Sequence, residues 1–213
     1  MRSLVAPIWF WLVLGGIAAT PLGAAEDSAT AWYVKADGGV SFVNDLDLEI
    51  GGVNLGSVSF DNGYALDIAG GRELLSWLNV ELDAGLLSAT AANANLRLTQ
   101  LPFMINGVIQ LNPRYLHKWT SFVGVGAGGV VSWLDLGVQG LSIEDPFLGF
   151  GLQGLAGIRY AAGEAASVGL HYRFRWCSEP TWSLEQSGLP GTLDVVADDL
   201  RTHVFALEFS FRF

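Results

Sequence analysis

Few side chains in this sequence combine reactive chemistry with a useful spacing. His117, His171 and His203 fall on three separate segments, and none stands at a spacing that would put two ligands on one metal ion. His203 is followed two positions later by Phe205, and no acidic residue shares its face to orient it as a base. Cys177 is the single cysteine, which excludes an internal disulfide. Nothing beside it raises its reactivity, so it reads as a lone structural thiol facing a barrel interior near the rim, with an intermolecular link as the other reading. The sequence therefore predicts no catalytic group, no metal site and no cofactor. What it offers is ion pairing. Lys35, Asp37, Asp67, Glu81, Asp83, Arg159, His171, Arg173, Arg175, Glu208 and Arg212 all fall on one side of alternating segments, and apart from His171 they comprise five bases and five acids.

The segments that carry these charges share one pattern. The last eleven residues, His203 to Phe213, put Phe205, Leu207, Phe209, Phe211 and Phe213 on one face and Val204, Ala206, Glu208, Ser210 and Arg212 on the other. Successive strand side chains point to opposite faces, so this is a strand with one apolar and one polar face. Seven more such segments precede it: Trp32 to Val43, Tyr64 to Gly71, Leu78 to Leu87, about Thr99 to Leu111, Trp119 to Trp133, Leu148 to Tyr160 and Val168 to Cys177. Pro102 falls inside the fourth and cannot donate to a ladder, which predicts a rim or bulge position. None of the eight apolar faces holds Asp, Glu, Lys or Arg. A lipid-facing strand surface explains that absence, because Lys or Arg at the bilayer midplane costs about 2–4 kcal/mol.

Composition and connections point the same way. The chain has 213 residues, 51% of them hydrophobic, yet a formal net charge of -10. So acidic a chain has no electrostatic case for binding nucleic acid or an anionic membrane surface. Residues 1–25 read as a secretory signal, with Arg2 as the positive region, an apolar run from Leu4 to Ala19, and Gly23, Ala24 and Ala25 before the cleavage point. The competing reading is an uncleaved anchor, but Pro7, Gly15 and Gly16 interrupt the run. Residues 26–213 then form one barrel domain. Connections are short at about 72–77, 112–118 and 161–167, and long at about 44–63, 88–98, 134–147 and 178–199. Short turns on one side and long loops on the other match an outer-membrane barrel, and the long loops hold much of the acid. Aromatic residues gather near strand ends, among them Trp32, Trp77, Trp119, Trp133 and Trp176, as interfacial girdles do. A soluble ligand-binding barrel also alternates, with its apolar face inward, and alternation alone does not separate the two.

With the terminal Phe213 and its alternating aromatics, the run Phe122-Val-Gly-Val-Gly-Ala-Gly and the Tyr172-Arg-Phe174 triplet, the chain resembles a known family. These are the eight-stranded outer-membrane β-barrels that include the OmpA transmembrane domain and the opacity-type proteins. The resemblance covers about residues 30–213, with Ser121 standing where many relatives have proline. It implies an all-β, eight-stranded, antiparallel up-and-down transmembrane barrel in the outer membrane. It also implies contact with membrane lipid and with the barrel-assembly machinery through Phe209, Phe211 and Phe213. No peptidoglycan-binding segment follows the barrel, so cell-wall tethering is not expected. Some outer-membrane barrels modify lipids with a His and a Ser close together on the lipid-facing surface, but His203 lacks the partners for that chemistry.

Eight strands enclose a space that side chains can fill. Buried charges there must pair, which predicts a plug in which Arg173 and Arg175 answer Glu81, Asp83 or Asp67. A monomeric structural or surface-interaction protein with acidic extracellular loops follows. The alternative is a narrow channel for ions or small solutes, in which these pairs exchange partners.

Overall fold

The computed structural model describes residues 31–50, 53–92, 95–111, 118–136, 141–143, 146–186 and 192–213. Eight long strands close a barrel: β1 (Trp32–Val43), β4 (Gly63–Leu75), β5 (Leu78–Thr90), β6 (Leu96–Leu111), β7 (Trp119–Leu136), β9 (Phe147–Ala161), β10 (Ala166–Cys177) and β13 (Leu200–Arg212). Each pairs antiparallel with the next along the chain. The last, β13, returns to β1 with Tyr33 opposite Arg212 and Val43 opposite Thr202. No strand edge of the barrel is left open, which removes the hazard that an aromatic terminal strand would pose.

The direction of the faces excludes the soluble alternative. Val125, Leu148, Leu82, Ile105 and Phe209 point outward, between 60% and 73% exposed. Lys35, Asp67, Glu81, Arg173 and Glu208 point inward and are almost fully buried. An outer wall of this composition needs lipid against it. Near the short turns, Trp32, Trp77 and Trp119 form an aromatic belt. Arg72 sits 5.4 Å over the Trp32 ring and Lys118 5.9 Å over the Tyr160 ring. A ring with one apolar side and one wet side is stable at a membrane interface.

Pro102 lies mid-strand, away from any rim. The β5–β6 ladder passes over Gly85 and Leu86 opposite it and resumes in the same register, so there is no bulge. The connection expected to be long near 88–98 is short, because β5 runs to Thr90 and β6 starts at Leu96. The remaining long connections are also more ordered than solvated loops. They form a second sheet in the order β3-β2-β12-β11-β8, from Val53–Val58, Leu46–Ile50, Thr192–Ala197, Thr181–Gln186 and Leu141–Ile143. This sheet stands at the long-loop end of the barrel, the extracellular end in proteins of this architecture.

Candidate functional site

The inner wall is built for close approach. Inward positions of β7 and β9 are rich in glycine. A Cβ on Gly157 would lie 2.6 Å from the Cβ of His171 and 2.7 Å from Cζ of Phe122. A Cβ on Gly85 would collide with the Asp67 carboxylate. Small residues on one strand thus make room for long charged ones on its neighbours.

Those charges form two groups. In the upper group, Arg173 pairs with Asp67, with Asp37 at 3.2 Å and with Asp83 at 3.2 Å. Arg175 adds a second cation to Asp67 at 3.2 Å and donates to Oε1 of Gln153 at 3.3 Å. Gln153 in turn donates to Oδ1 of Asn106 at 2.6 Å, and Asn106 donates to Asp83 at 3.4 Å. In the lower group, Lys35 meets Glu81 at 2.6 Å, and Tyr33 donates to the same carboxylate at 2.7 Å. Arg159 meets Glu208 at 2.6 Å and sits 4.7 Å from the Phe122 ring centroid. His171 lies at the junction, with Nε2 3.7 Å from Asp37 and Nδ1 3.7 Å from Glu208. Such a lattice of opposite charges is what lets ions persist away from water.

The structure brings together Lys35, Asp37, Asp67, Glu81, Asp83, Arg159, His171, Arg173, Arg175 and Glu208. Arg212 is a correction. Its side chain is 55% exposed at the lower mouth and faces Glu73 at 3.6 Å. The strand end carries it past the buried layer. Glu81 is answered by Lys35, while the two arginines gather on the aspartates. Asn106 and Gln153 join this network although the sequence analysis singled out only ionisable residues. A polar uncharged residue within a charged stripe was the available signal.

Above the ions the lumen becomes apolar. Leu46, Trp182, Val195 and Ala197 from the second sheet and its flanks pack against Leu87, Leu98, Val130 and Leu200 of the wall. Trp182 is 1% exposed and donates its indole N–H to the Ser132 carbonyl at 3.2 Å. Cys177 is a buried free thiol in this cluster. Below the ions, a vestibule lined by Tyr33, Glu73, Asn79, Arg159 and Arg212 opens at the short-turn end.

Of the other histidines, His117 lies outside the described residues. His203 faces outward, where its Nδ1 hydrogen bonds to the Tyr172 hydroxyl at 2.7 Å and its ring packs on Phe174. Among the described residues no cluster of His, Cys, Asp or Glu has the geometry of a metal site. Phe209, Phe211 and Phe213 are outward and exposed at the lower end of the last strand.

Residues 10–213 match the family described as outer membrane protein beta-barrel domain. No curated protein matches the chain by sequence. Among solved structures, OprG of Pseudomonas aeruginosa is similar with a TM-score of 0.65 and 16% identity, over 86% of this chain and 96% of that one. Neisserial surface protein A is similar with a TM-score of 0.58 and 15% identity, over 85% of this chain and 97% of that one. At such identities the likeness speaks for the barrel alone.

Proposed function

The chain belongs to the outer membrane protein beta-barrel domain family, and from that premise we propose that it is a closed surface anchor without enzymatic activity. Its barrel holds the acidic extracellular sheet rigidly at the cell surface for contact with a basic partner. One observation carries this reading: the lumen is filled twice over, by ions around Arg173 and by hydrocarbon around Trp182, both nearly inaccessible. A filled lumen leaves the loops to carry function while the barrel positions them. Asp45, Asp47, Glu49, Asp61, Glu179 and Asp198 are exposed at that end. In the same reading, the barrel is a monomer delivered by a cleaved signal, and Phe209, Phe211 and Phe213 present its assembly signal.

Proteoliposomes carrying the folded protein test the surface role with polylysine-coated and heparin-coated beads as probes. Binding to polylysine that is lost in the D45N/D47N/E49Q/D198N variant is the expected result. Equal binding by that variant, or preference for heparin, would overturn the proposal.

A further inference from the structure

The buried ions do not balance. With Arg212 outside the layer, five carboxylates (Asp37, Asp67, Asp83, Glu81 and Glu208) face four permanent cations (Lys35, Arg159, Arg173 and Arg175). The lower group is neutral, with Lys35 and Arg159 against Glu81 and Glu208. The upper group has two arginines for three aspartates, so the deficit is one positive charge. The upper group meets the lower one at His171. Both ring nitrogens of His171 are buried with no hydrogen bond to another protein atom, as are Oδ1 of Asp37 and Oε2 of Glu208, the latter with Lys35 at 3.9 Å; Asp67, Asp83 and Glu81 each keep one such oxygen as well. The Asp37 and Glu208 carboxylates flank the imidazole at 3.7 Å on either side. An unbalanced anion at this depth is costly, and a site in that position is compensated rather than left charged.

We propose that Asp37, His171 and Glu208 form a proton-binding site, and that one proton held there closes the charge balance of the lumen. The inference goes beyond the anchoring role and stands whether or not the loops bind a partner. The other groups facing His171 are Lys35 from β1, Asp67 from β4, Phe122 from β7 and Arg173 on its own strand, while Arg159 from β9 is bound to Glu208. None of them supplies the missing charge. The proton belongs to the three groups as a unit, since such close titrating sites share one macroscopic step.

The site makes folding consume a proton. On this proposal the folded chain holds one more proton than the unfolded chain above about pH 6.5, where an ordinary histidine is neutral. More protons are then bound in the folded state, so stability falls as pH rises through this range. One proton corresponds to about a tenfold loss in the folded-to-unfolded ratio per pH unit. The test is urea unfolding of the mature protein in lipid vesicles between about pH 6.5 and 8.5, below the ordinary cysteine value. Wild type is expected to lose about tenfold per unit. Asp37→Asn, with four carboxylates against four cations, is expected to be nearly flat, and Glu73→Gln at the exposed mouth to keep the wild-type slope. Should Asp37→Asn fail to fold, Glu208→Gln makes the same neutralisation from the other side, and the wild-type slope is read without any variant. A flat wild-type response, or equal slopes in wild type and Asp37→Asn, overturns the proposal. So does a flat response with stability rising in monovalent salt, which would put a metal cation in place of the proton.

Discussion

At the level of Arg173 the inner wall carries guanidinium and carboxylate groups, whereas at the level of Leu98 and its cross-strand partner Leu134 the same wall carries hydrocarbon. Both layers exclude water, but they do so at different cost. The lower layer is enclosed by the barrel alone, so its ions must satisfy one another across the lumen, as Arg173 of β10 does with Asp67 of β4 and Asp83 of β5. The upper layer borrows Leu46, Trp182 and Val195 from outside the barrel, and hydrocarbon needs no partner of matching charge. Ionic filling makes position specific and is brittle to the loss of one member. Apolar filling is graded, and its loss scales with the volume removed.

That contrast is broken most directly by Arg173→Met, which leaves three aspartates with one arginine. A loss of about 3–5 kcal/mol is expected in urea unfolding from lipid vesicles. Leu98→Ala in the upper layer is expected to cost about 2–5 kcal/mol by the same measurement, depending on how far the cap collapses into the space. If it costs clearly more than Arg173→Met, the cap and not the ion layer dominates stability. On the outer wall, Leu82→Arg places a charge against lipid and is expected to cost about 2–4 kcal/mol, a cost absent if that wall faced water. Glu73→Gln at the exposed mouth is expected to change stability by less than about 1 kcal/mol. A large effect there would mean that the Arg212 pair belongs to the buried layer after all.

The two layers also differ in how far they were legible in the sequence. Every barrel strand was visible, because eight alternating segments with charge-free apolar faces are a strong periodic signal, and β1 ran from Trp32 to Val43 as read. The lumen charges were found because a polar stripe on such a strand has only the interior to occupy. Which acid meets which base was not legible, since it depends on the stagger that sets β10 across the lumen from β1, β4 and β5. The neutral balance of five against five failed for one residue: Arg212 lies two inward positions beyond Glu208, past Ser210, in the open vestibule. The cap was the larger miss. Leu46-Asp-Leu-Glu-Ile50 alternates visibly, but five residues are a weak signal, and their partners in β12 lie at Leu48–Ala197 and Ile50–Val195, far along the chain.

The measurement that tests the closed lumen most directly is single-channel recording of the folded protein in a planar lipid bilayer. A sealed barrel, filled by ions below and hydrocarbon above, is expected to give no conductance steps. Discrete steps that disappear when Arg173 and Arg175 are neutralised would contradict it, and would make the ion layer the lining of a channel.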